Sequence, residues 1–175
     1  MGDAERSGSR LNRQRVSEWI RPCRLSEDMS MNSISVFFYG LFMDESLLAS
    51  KGVLATEPAI GYVEGYGLRI GERATLLPET GSRAYGVLMK IAPEDAAALY
   101  SDQSVADYVA EPVVVTLPGD FRVSAMCYNL PAAKLRGTNP EYAAALLALA
   151  TKLGLPDGYL RHIRKSIQLF DSVDR

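Results

Sequence analysis

One histidine and two cysteines bound the chemistry open to this 175-residue chain. A Cys–His dyad, a Ser–His–Asp triad and a multi-histidine metal site would each have to use His162. That residue lies in the run YLRHIRKS, among cations on an expected helix, and reads as a surface residue. Cys23 and Cys127 are far apart and form no CxxC pair, which argues against a structural zinc and against a disulfide scaffold. A reducing, cytoplasmic compartment is the simpler expectation, with no metal and no cofactor. Cys127 sits in an apolar strand pattern and reads as a small buried hydrophobe.

The run FFYGLFM at residues 37–43 offers different chemistry. An apolar strand ends at Tyr39, Gly40 follows, and MDESLLA starts a short helix with Asp44 as its N-cap and Leu47 and Leu48 turned inward. A strand-to-helix corner leaves backbone N–H groups without partners. Glycine there permits an unusual backbone angle or the close approach of a ligand. Such a corner can hold a carboxylate or phosphate on main-chain amides. A plain tight turn is the other reading.

The glycines at 61, 65, 67 and 71 invite a nucleotide-loop reading, which the pattern rejects. GYGLRIG is GxGxxxG rather than GxGxxG, and a strand rather than a helix follows it. Glycine bulges in a strongly curved strand are expected instead.

The elements that must position the corner follow from periodicity. Residues 34–39 form a β-branched and aromatic strand. In GYGLRIG, Tyr66, Leu68 and Ile70 alternate with Gly67 and Arg69. RATLLP and RAYGVLMKI read as two strands joined by a turn, PETGS. PEDAAAL is a helix with Pro93 in its first turn and Glu94 and Asp95 at its positive end. DYVAEPVVVTL and FRVSAMCYNL are strands around the turn PGD. Asn139 as N-cap, Pro140 at N1 and Gly154 past the end frame the next helix, with an apolar stripe of Tyr142, Leu146, Leu149 and Leu153. Tyr159, Ile163, Ile167 and Phe170 stripe the last helix. Six strands, mostly in hairpin succession, with helices inserted late, make an α+β domain. Its sheet is expected to be small, mixed but mostly antiparallel, and curled toward a barrel with flanking helices.

Residues 1–33 differ from the rest, with six arginines (6, 10, 13, 15, 21, 24) against five acids. Val16, Trp19, Ile20 and Cys23 follow helical spacing. No apolar h-region is present, and the interspersed acids count against a transit peptide, so this Arg-rich appendage reads as a docking arm. The expected organisation is the appendage 1–33, a domain 34–168 and a tail 169–175. A net charge of −2 gives no electrostatic reason to expect nucleic acid. No apolar run approaches a membrane span.

Over residues 34–168 the chain resembles the γ-glutamylcyclotransferase family, which includes the AIG2-like proteins. Tyr39, Gly40, Met43, Leu47 and Leu48 match its opening Tyr-Gly signature and paired leucines. GYGLRIG, ATLLPETGSRAYGVLMKI, PEDAAAL and NPEYAAALLALATKLGLPDGYLRHI follow in the family's order and spacing. The resemblance implies a small β-barrel with flanking helices, no cofactor, and a small-molecule substrate bearing a carboxylate. It implies one transferase reaction, in which a free α-amine attacks its own γ-glutamyl carbonyl and releases 5-oxoproline. The Tyr-Gly corner would hold the α-carboxylate, which makes Tyr39, Gly40, Leu41 and Phe42 expected substrate-binding residues, with Tyr108 at a matched tyrosine.

One position breaks the pattern. The family's acid–base glutamate stands in a Leu-Asp-x-x-Glu-Gly stretch, which here reads LYSDQSV, so Gln103 replaces it. A glutamine amide cannot shuttle a proton near neutral pH. Leu41 and Phe42 replace the family's Ser and Asn/Leu, which implies a drier pocket. Three explanations stand side by side. Asp102 supplies the carboxylate, or the fold binds a small anion without turnover, or Gln103 positions substrate for another reaction. The pocket is expected between Tyr39–Phe42 and Gln103, and Gln103→Glu is expected to restore some cyclotransferase activity. A non-catalytic anion-binding or protein-interaction module is the competing expectation.

Overall fold

A computed structural model describes residues 32–171, with side chains as far as residue 167. The Arg-rich leader up to residue 31, its expected helical stripe and residues 172–175 lie outside the described residues, as does the Phe170 side chain. The chain divides into Met1–Ser33 and Ile34–Arg175, and every element below lies in the second unit.

Strand β1 spans Ile34–Phe38, followed by a 3-10 turn at Leu41–Met43 and helix α1 at Glu45–Ser50. Two long strands come next, β2 at Thr56–Ile70 and β3 at Ala74–Ile91, then helix α2 at Pro93–Leu99. The hairpin of β4 (Val109–Leu117) and β5 (Phe121–Asn129) leads to helices α3 (Pro140–Leu153) and α4 (Asp157–Asp171). The strands close into a barrel in the order β1-β3-β2-β4-β5. Every pairing is antiparallel except β1 with β5, joined in register at Val36 and Met126. The architecture is the expected α+β mixed barrel with flanking helices.

β1 reads as a continuous apolar run because both of its faces are covered. Successive strand residues point to opposite sides, yet Val36, Phe37 and Phe38 are all buried. The turn Pro118–Asp120 reverses β4 into β5 through the left-handed backbone of Gly119 and Asp120.

The described residues form five strands, not six. RATLLP, PETGS and RAYGVLMKI form the single strand β3. The turn residues there do not reverse the chain, because β2 stays paired on either side of them. Glu64 pairs with Arg83 and Tyr66 with Pro78, so residues 79–82 bulge opposite Gly65 alone. Gly81 and Gly65 both take positive φ, at 82° and 79°, which supplies the extra bend. A different constraint governs Gly61. A Cβ there would lie 2.8 Å from the Thr116 carbonyl oxygen, across the seam where β2 meets β4.

Helix ends follow the local sequence. The Asn139 side chain accepts from the Tyr142 N–H at 3.0 Å, Pro140 opens α3, and Gly154 closes it with φ 75°. α3 buries Ala143, Leu146 and Ala150, and α4 buries Tyr159, Leu160 and Ile163 against the same core.

Candidate functional site

The corner after β1 is built by short-range bonds. The Met43 N–H donates to the Gly40 carbonyl and the Asp44 N–H to the Leu41 carbonyl, each at 3.1 Å. Asp44 then caps α1, accepting from the Ser46 N–H at 2.8 Å. Gly40 has φ −101° and ψ −153°, an angle open to other residues. The expected conformational reason for glycine is therefore absent. The actual reason is space, because a Cβ on Gly40 would sit 2.7 Å from the Tyr142 hydroxyl, which α3 brings to the corner.

Beside the corner lies a cavity of about 230 Å³. Tyr39, Gly40, Leu41 and Phe42 line one side. Tyr100, Tyr108, Tyr128 and Tyr142 line much of the rest. Tyr100 stacks on Tyr128 with ring centroids 3.8 Å apart and planes 8° from parallel, and Phe42 meets Tyr100 edge-on at 6.0 Å. The Tyr39 hydroxyl donates to the Tyr128 carbonyl at 2.7 Å. The Tyr108 hydroxyl donates to the Ala74 carbonyl. Leu41 and Phe42 contribute apolar wall, in keeping with a drier pocket.

The two candidate acid–base positions separate. Asp102 and Ser104 line the cavity; Gln103, between them, is exposed and does not. The expectation that Gln103 bounds the pocket is thus met by its neighbours instead. In the turn after α2, the Ser104 N–H donates to the Asp102 carboxylate at 2.8 Å. Residues 101–104 of this turn are all exposed, and of the two candidates Asp102 lines the cavity.

Charge in the cavity comes from three side chains, Asp102, Lys51 and Arg73. The Ser104 backbone N–H, then the Ser104 side chain, hold the Asp102 carboxyl below its ordinary value, with smaller help from Lys51 and Arg73. Burial pushes Tyr39, Tyr100, Tyr108, Tyr128 and Tyr142 upward. For Tyr142, backbone groups of Leu41 and Ala74 and the Arg73 charge offset part of that rise. At neutral pH the phenols are therefore neutral and Asp102 is an anion. Lys51 and Arg73 escaped the sequence reading because a lone cation in a turn or at a helix end carries no periodic signal.

The other reactive residues lie elsewhere. His162 is exposed, lines a separate cleft with Glu79 and Tyr159, and its Nε2 is 3.1 Å from the Leu68 carbonyl oxygen. Cys127 is buried and free, and burial raises its thiol far above the ordinary range, so it is not a nucleophile. Among the described residues there is no cluster of three or more His, Cys, Asp or Glu side chains placed to hold a metal. No described helix is long and apolar enough to cross a membrane.

No protein-family model matches the chain, and no curated protein matches it in sequence. Solved structures do match. A γ-glutamyl cyclotransferase superposes with a TM-score of 0.62 at 18% identity, covering 75% of this chain and 86% of that one. YkqA from Bacillus subtilis gives 0.66 at 22%, covering 86% of this chain and 59% of its own. A γ-glutamyl cyclotransferase specific to glutathione, from yeast, gives 0.56 at 16%, covering 79% and 97%. At these identities the likeness is one of architecture, and with the closed five-stranded barrel and its flanking helices it establishes that this chain has the γ-glutamylcyclotransferase-like fold.

Proposed function

We propose that the chain binds a γ-glutamyl amine or a related small carboxylate in the cavity beside Tyr39–Phe42, and turns it over poorly or not at all. One observation carries this reading: among the described residues, the one carboxylate that lines the cavity is Asp102, and the Ser104 N–H closes on it. Cyclisation needs a base to take a proton from an α-ammonium, whose ordinary pKa is about 8, and an acid to return one to the leaving nitrogen. Asp102, held below the ordinary carboxylate range, is too weak a base for the first step. The buried phenols are too weak as acids for the second. Gln103 has no proton to exchange and does not line the cavity.

The remaining features suit binding. Aromatic faces accept the methylene chain of a glutamyl group, and Lys51 and Arg73 complement a carboxylate. A small-anion-binding module on the same fold is the second reading, supported by the excess of cations over carboxylates in the cavity. A reducing, cytoplasmic setting is part of the proposal.

The test pairs calorimetric titration with an assay for released 5-oxoproline, over a panel of γ-glutamyl amines and γ-glutamyl amino acids. Saturable binding without robust turnover is expected. Robust turnover would overturn the reading and demand a base outside this cavity. Equal binding of simple dicarboxylates and γ-glutamyl compounds would favour the second reading.

A further inference from the structure

We infer that Arg73 is the carboxylate anchor of the cavity, in place of the backbone amides of the Gly40 corner; this rests on the reading that the cavity takes a small carboxylate.

Two observations converge on it. The first is that the corner is already occupied. The Tyr142 hydroxyl stands where a Cβ on Gly40 would collide with it, beside the backbone of Leu41. A carboxylate seated on the corner amides would have to displace that hydroxyl from a helix-borne side chain.

The second is that Arg73 is a half-buried cation at the cavity wall that forms no ion pair among the described residues, Asp102 feeling its charge from beyond ion-pair distance. Among the described residues, the ion pairs are Arg69–Glu79, Arg83–Glu64, Lys90–Glu57 and Lys134–Asp107, and Arg73 is in none of them. Its main chain is fixed where β3 begins. The Gly71 N–H donates to the Arg73 carbonyl at 3.0 Å, and the Tyr108 hydroxyl donates to the carbonyl of the next residue, Ala74. Arg73 lines the cavity together with Tyr108, Tyr142 and Asp102, and its charge acts on all three.

A guanidinium presents a planar fork that fits a carboxylate with two parallel hydrogen bonds. Held against aromatic walls, it is less screened than a surface cation. Lys51 also lines the cavity but is exposed at the end of α1, where a flexible ammonium contributes attraction rather than position. The ligand class follows. The carboxylate docks on Arg73, the apolar chain lies along Tyr100 and Phe42, and Asp102 is left to take a cationic amine if the ligand has one.

The experiment titrates the full chain with three probes: 5-oxoproline, its neutral amide, and glutarate. The wild type is compared with Arg73→Met, Arg73→Lys and Lys51→Met, each checked for folding by its thermal unfolding transition. Arg73→Met is expected to weaken 5-oxoproline and glutarate by about ten- to a hundredfold. Arg73→Lys should lose several-fold, and Lys51→Met less than about threefold. The amide should bind weakly to the wild type and be indifferent to Arg73→Met. Wild-type affinity for the acids in folded Arg73→Met, or equal affinity of the wild type for acid and amide, overturns the anchor. If the Met variant does not fold, Arg73→Lys decides, and undiminished affinity there overturns it equally. Binding of glutarate but not 5-oxoproline, lost with Arg73, keeps the anchor and ends the γ-glutamyl reading. No binding of any probe by the wild type ends both.

Discussion

The Tyr142 hydroxyl lies 2.7 Å from the point where a Cβ on Gly40 would stand. A side chain on α3 and a backbone corner after β1 therefore share one small volume. Gly40→Ala forces them apart without backbone strain, because φ at Gly40 is −101°. The expected cost is about 1–2 kcal/mol, the usual range for overpacking. Removing the hydroxyl with Tyr142→Phe should recover part of that loss. Denaturant unfolding of both single variants and the double variant measures the coupling. Additive effects would mean that the corner and the phenol do not meet.

Tyr159 poses the opposite problem. Its hydroxyl is buried with no hydrogen-bond partner among the described residues. The backbone of Tyr85 is close enough to act on it as a hydrogen-bonding group, although no bond of ordinary geometry forms. Tyr159→Phe removes an unsatisfied polar atom and keeps the ring against Tyr85. Stability should rise by about 1 kcal/mol, read as a higher midpoint at unchanged denaturant slope. A clear loss instead would reveal a partner for that oxygen.

The cavity also predicts a flat pH response. Asp102 has a folded pKa below its unfolded one, so its contribution is fully present above about pH 4 and is lost as pH falls through the folded value. The cavity tyrosines have raised values and stay protonated past about pH 10. Binding of 5-oxoproline should therefore vary little between about pH 5 and about pH 9. A titration step near pH 7 in that affinity would show a group in the cavity that the described side chains do not supply.

What was legible in the sequence was local. Asn139, Pro140 and Gly154 frame α3 through contacts within one turn, and Asp44 caps α1 in the same way. The glycine bulges expected in β2 formed differently: the extra residues, 79–82, belong to β3 and stand opposite Gly65, while Gly61 and Gly67 keep regular pairing. PETGS misled because its turn chemistry is real, but β2 continues on both sides of it and converts a reversal into a bulge. At Gly40 the unusual backbone angle is absent. Its neighbour in space is Tyr142, which no local pattern connects to it. The same holds for Arg73, whose place in the cavity is set by the start of β3 and by Tyr108 reaching back to Ala74.

Position 103 is where sequence and structure diverge most. The family resemblance aligns it with an acid–base glutamate, which implies that Gln103→Glu would restore some of the 10²–10⁴-fold that general acid–base help typically supplies. In the structure the Ser104 N–H closes on the Asp102 carboxylate, and residue 103 is exposed. A glutamate there would be solvated, without the desolvation that raises a carboxyl toward neutrality. Residue 103 also does not line the cavity, and proton transfer requires contact at hydrogen-bond distance or through one water. Gln103→Glu is therefore expected to raise 5-oxoproline release from γ-glutamyl amines by less than about tenfold, well short of a placed acid–base group. The assay compares single-turnover rates of wild type and variant at saturating substrate, so that weak binding does not mask the chemistry. A gain of a hundredfold or more would mean that the turn after α2 rearranges when ligand binds and carries residue 103 inward.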